Sequence, residues 1–114
     1  MANKEILLQT TSTWNNEEFK ELHIEKPEVT VLKINIGIGE KLSMHKHDLI
    51  NIAYVKRGTL TVITDNNEQI IVHEGECLSE LIGEYHYGRN DGNEPVELVV
   101  FYIGEKNTPL SVEK

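Results

Sequence analysis

Two histidines one residue apart, His45 and His47, are the first residues in this chain equipped for chemistry. On an extended strand, positions i and i+2 share a face, with Cα atoms roughly 6.6 Å apart. Imidazoles at that spacing converge on one ion, since bonds from ring nitrogen to a metal are about 2.1 Å. Asn51 has the same parity and shares their face if the strand stays regular. His86 lies far downstream, past several turn signals, and a β-barrel is the architecture that returns it to the pair. Three imidazoles with open positions suit a divalent transition metal: iron, nickel, zinc, manganese or copper.

The elements that must position these residues are strands. From Glu28 to Ile38, Leu32, Ile34, Ile36 and Ile38 alternate with Lys33, Asn35 and Gly37, the period of a half-buried strand. Further strands are expected over 49–55, 59–64, 69–72 and 96–103, with short ones at 77–82 and 85–87. Asp65-Asn66-Asn67-Glu68 reads as a hairpin turn, because Asn and Asp tolerate left-handed backbone. Asn90 to Pro95 is the strongest turn cluster. Nothing after Pro27 has helical periodicity. Short strands separated by turns point to a sandwich or barrel.

The frame around the histidines is specific. The first stretch reads Gly39, five residues, His45-x-His47, three residues, Asn51, six residues, Gly58. The second reads Gly75, five residues, Leu81-x-Gly83, two residues, His86, three residues, Asn90. In spacing and residue type they resemble the two conserved motifs of the cupin family. The resemblance implies an all-β fold, the cupin double-stranded β-helix (jelly-roll) barrel with a short N-terminal arm. It places one domain over 1–114, with the core at about 28–104, the arm at 1–27 and a tail at 105–114. It also implies metal ligation by His45, His47 and His86, with Asn51 where the family often has a fourth ligand.

Two positions depart from the family pattern. Leu81 replaces a proline, at a loop position where the change costs mainly chain stiffness. Asn51 replaces a glutamate, and that change touches the chemistry. An ion held by three neutral imidazoles keeps its full local charge, so the expected site binds metal less tightly and favours an anionic ligand. Asn51 is equally readable as a residue that orients His47 or a water.

Composition limits the partners. The 114 residues carry 19 acidic against 11 basic side chains, for a net charge of -8. Such a surface repels nucleic acid and anionic lipid. No apolar run approaches the roughly 20 residues that span a bilayer. The single Cys77 excludes an intrachain disulfide, and Ile6-Leu7-Leu8 is too short for a signal peptide, so a cytoplasmic protein is expected. Cys77 reads as a small apolar filler, His23 and His73 as solvated, and Asn90 as a turn residue. Arg89 is a candidate cation for a ligand carboxylate. Tyr85 and Tyr87 face away from His86 by alternation, and Tyr54 is a candidate for the barrel mouth.

These readings give a metal-binding cupin that acts on or binds a small organic molecule, in an oxygenase-type or isomerase-type reaction. The alternatives are a non-catalytic sensing module and a metal-free structural barrel. A homodimer is expected, because a chain of this length gains buried area by pairing.

Overall fold

Alternating apolar residues become two antiparallel sheets packed face to face, and a computed structural model describes all 114 residues. Nine strands form them: β1 (Pro27–Ile36), β2 (His45–Lys46), β3 (Ile50–Arg57), β4 (Thr59–Thr64), β5 (Gln69–His73), β6 (Cys77–Ser79), β7 (His86–Arg89), β8 (Val96–Glu105) and β9 (Val112–Glu113). One sheet has the order β1-β8-β3-β6 and the other β5-β4-β7-β2-β9. No helix is present. The chain repeatedly crosses between sheets, as in a jelly roll.

Period two decides what is buried. On β8, Val96, Leu98, Val100 and Tyr102 point into the core, while Val99, Phe101 and Ile103 point out. Ala53 and Val55 of β3 and Leu60 and Val62 of β4 complete the layer between the sheets. Pro27 opens edge strand β1, where its missing N–H leaves no ladder bond unmade.

Two turns show how local chemistry sets the crossings. Gly58 alone links β3 to β4, at φ +84°, and a Cβ there would lie 2.6 Å from the Pro95 carbonyl oxygen. Only glycine fits such a corner. In the β4–β5 hairpin, Thr64 Oγ1 accepts from the N–H groups of Asn66 (3.2 Å) and Glu68 (3.0 Å), and Asn67 takes φ +63°.

Both ends of the chain are tied to the barrel. In the arm, Trp14 N–H donates to the Ser79 carbonyl at 2.9 Å, and Ser79 Oγ donates to the Ser12 carbonyl at 2.8 Å. The segment read as a tail carries β9, which pairs with β2 beside His45. Lys114 N–H closes that edge on the Met44 carbonyl at 3.1 Å.

Candidate metal centre

The five-stranded sheet places two of the three histidines opposite each other. His45 on β2 and His86 on β7 are cross-strand partners. His47 lies just past the end of β2, but its side chain keeps the face of His45. The three rings stand 4.7, 4.8 and 5.0 Å apart, centroid to centroid. One ligand nitrogen from each lies within 4.8 Å of the others. Two nitrogens on one ion can be at most about 4.2 Å apart, twice the bond length. The rings therefore need to close by only some tenths of an ångström.

The second nitrogen of each ring decides the tautomer. Nδ1 of His45 faces the Ser43 carbonyl at 2.6 Å, that of His47 the Leu110 carbonyl at 2.7 Å, and that of His86 the Glu84 carbonyl at 2.9 Å. A carbonyl oxygen only accepts, so each Nδ1 carries the hydrogen and donates it. Every Nε2 is left with a free lone pair, the form that binds a metal. His86 is 1% exposed, and its Nε2 is buried without a hydrogen-bond partner. An orphaned lone pair at the meeting point of three imidazoles fits a cation.

Burial pulls His47 and His86 down to about 4, and the carbonyl bonds to Leu110 and Glu84 offset this only in part. Both rings are neutral at pH 7, as ligands must be.

Asn51 reaches the same cavity from β3 of the opposite sheet and is 2% exposed. Its Nδ2 has no partner. The cavity measures about 40 Å³, room for an ion and one or two water-sized groups. Apolar side chains such as Ile34, Leu42, Leu60 and Val100 line the rest.

Two residues were missed by sequence reasoning. Tyr102 stands with its ring 6.0 Å from that of His47. Its inward parity on β8 was the available signal. Glu80, just past β6, is 9% exposed, and its Oε1 lies 3.6 Å from His86 Nε2. Burial pushes its carboxyl pKa up, against the pull of the nearby histidines and of donors from Leu81 and Trp14. A lone charge inside the apolar run Leu78 to Ile82 was the clue. The three imidazoles thus have a buried carboxyl group beside them, which the motif spacing did not reveal.

The remaining candidates lie elsewhere. Arg89 alternates to the face opposite His86, and its Nε pairs with Asp91 at 2.7 Å, so it is not a cation waiting in the site. Tyr85 and Tyr87 lie under Lys46, Lys114 and Lys41. Tyr54 is on the outer face, opposite Val99 and Cys77. Cys77 is half-buried, and burial raises its thiol pKa, so it is no activated nucleophile. His23 and His73 are exposed beside Glu21 and Glu76. Asn90 donates to the Ile36 and Glu94 carbonyls and accepts from Gly92 N–H, which holds the turn.

Comparison with known proteins fits this geometry. The family model described as "Cupin domain" matches residues 32–102. None of the curated proteins matches the chain. Among solved structures, a DMSP lyase from Ruegeria pomeroyi is 16% identical with a TM-score of 0.65, over 75% of this chain and 43% of the lyase. A protein from Bacillus halodurans is 24% identical with a TM-score of 0.62, over 75% and 68% of the two chains. An oxalate oxidase in complex with the substrate analogue glycolate is 24% identical with a TM-score of 0.63, over 75% and 45%. The chain spans less than half the length of the lyase and the oxidase, and at these identities the likeness is one of fold. The cupin model covers more than half of the chain and contains both histidine motifs, so the chain belongs to the cupin domain family.

Proposed function

We propose that the protein binds a divalent transition metal through Nε2 of His45, His47 and His86 and uses it on a small organic molecule. The supporting observation is that all three Nδ1 atoms are committed to carbonyls, which leaves Nε2 free on each ring, while each ring offers a nitrogen within 4.8 Å of the other two. A bound ion supplies Lewis acidity and open positions for ligand oxygen, in an oxygenase-type or isomerase-type reaction. The chain's own part is orientation and exclusion. The carbonyls of Ser43, Glu84 and Leu110 hold the rings. The apolar wall limits how much water shares the cavity with the ligand. The unpartnered Asn51 amide lies ready to donate to an oxygen of the ligand, which favours an anionic or carbonyl group there. Its amide oxygen is the other available contact, as a weak fourth ligand.

The reading is tested by elemental analysis of protein purified without an affinity tag or chelator, beside the His45→Ala/His47→Ala double variant. Near-stoichiometric metal, lost in the variant, is the expected result. Iron would point to oxygenase-type chemistry, and zinc, nickel or manganese to isomerase-type chemistry. Protein that stays metal-free after reconstitution sinks the reading. A non-catalytic binding role is the second reading, favoured by the small cavity. A compound that raises the melting temperature of metal-loaded protein without being consumed would select it.

The outer face of the β1-β8-β3-β6 sheet supports pairing with a second copy. Val29, Ile103 and Ile50 form one row across three strands, and Val31, Phe101 and Ile52 the next. Val29, Val31 and Phe101 are 65%, 54% and 46% exposed, with no charge in either row. Contiguous apolar surface of this kind marks an interface, and a flat sheet face can meet its own copy about a two-fold axis. Light scattering after size exclusion should show a dimer, and Val31→Lys/Phe101→Lys should show a monomer with unchanged metal content. A monomeric parent protein overturns the pairing.

A further inference from the structure

The carboxylate missing at position 51 has a structural counterpart. Glu80 enters the same cavity from the loop between β6 and β7, while Asn51 enters from β3. Its Oε1 accepts from Leu81 N–H at 3.2 Å and from the Trp14 indole N–H at 3.3 Å, and the same atom lies 3.6 Å from His86 Nε2. His86 Nδ1 donates to Glu84, so its Nε2 presents a lone pair to that oxygen. The His86 nitrogen has no hydrogen-bond partner and faces an electron-rich carboxyl oxygen in a buried site, which is unfavourable unless something positive joins them.

A proton or a metal ion can join them, and the distance separates the two. An O–H donor on Glu80 would sit about 2.6–3.0 Å from the nitrogen. Two ligands sharing an ion at bonds of about 2.1 Å sit roughly 3.0–4.2 Å apart, from adjacent to opposite positions. The observed 3.6 Å lies in the second range.

We infer that Glu80 is the anionic fourth ligand of the metal centre, supplied from the β6–β7 loop in place of residue 51, and that Trp14 of the N-terminal arm positions it. This rests on the metal reading above. The arm is anchored right beside Glu80. Trp14 N–H and Ser79 Oγ tie it to β6 one residue before Glu80, and the indole packs against the core. Formal charge at the centre then falls by one without a carboxylate on β3.

Co²⁺ titration of the metal-free full chain tests this, following the visible d–d spectrum and the affinity by chelator competition. Glu80→Gln keeps the shape and an oxygen that can accept from Leu81 N–H and the Trp14 indole N–H, so it should fold. Because Gln keeps an amide oxygen there as a weak ligand, it should bind Co²⁺ more weakly by about 10-fold or more, short of the loss of a whole ligand, with a changed spectrum. Trp14→Phe should give a smaller loss with a shifted spectrum. Asn51→Glu in the Glu80→Gln background should recover affinity by returning the carboxylate to β3. Wild-type affinity and spectrum in Glu80→Gln would overturn the assignment while leaving the three-histidine site standing. Absence of binding by the parent protein would overturn the metal reading itself.

Discussion

His86→Ala should lower metal affinity by at least about 100-fold, the largest loss expected from any single substitution. A four-ligand zinc site is worth about 10–16 kcal/mol, so each ligand carries roughly 3 kcal/mol, or a factor of 100 or more in affinity. His86 occupies the most enclosed place among the three histidines, at 1% exposure on the central β7. Alanine there also strands the Glu84 carbonyl and leaves a small void. Competition with a chromophoric chelator gives the affinity. His73→Ala is the control, since His73 is exposed and pairs with Glu76 outside the site. A His86→Ala protein that retained the parent's affinity would remove His86 from the centre.

In the metal-free protein, stability should fall by a few kcal/mol between pH 6.5 and 4. His47 and His86 sit at about 4 in the fold, against an ordinary value of 6.5. A depressed pKa means the unfolded chain takes up protons first. The full contribution is therefore present above pH 6.5 and is lost as pH falls through the window to 4. Each depression corresponds to about 3 kcal/mol at most. Glu80 acts in the opposite sense, because burial raises its pKa and the fold then favours its protonated form. The two histidines act in the same sense, and the single carboxyl opposes them. Urea midpoints at pH 7.5, 6 and 5 in the presence of chelator would show the decline. A flat profile, with His47→Phe no less acid-sensitive than the parent, would contradict it.

Local chemistry made much of this molecule legible from sequence. The strands at 59–64, 69–72 and 96–103 announced themselves by β-branched residues and alternation, and their observed bounds differ by two residues at most. The histidine pair was visible because a strand has period two. Glu80, Trp14 and Leu110 were not, because their relation to the histidines exists only after the barrel closes. Trp14 and Glu80 are 66 positions apart, and His47 and Leu110 are 63. No periodicity carries that information. β9 escaped for a related reason: two residues are too few to show a pattern, and their pairing with β2 is a long-range event. Arg89 looked available because nothing in its spacing revealed that Asp91, two residues on, would occupy it.

The three ring-orienting acceptors are all main-chain oxygens, on Ser43, Glu84 and Leu110. Replacing those side chains does not delete the oxygens. A saturation mutagenesis survey would therefore read the side chains at these three positions, such as Leu110 against the core, and not the oxygens that set the aim of every imidazole. The orienting information is inherited through backbone path rather than residue identity at 43, 84 and 110. Backbone chemistry can expose it: a thioamide, whose sulfur is a weaker acceptor than oxygen, placed at Leu110 would loosen His47 while leaving every side chain in the protein intact.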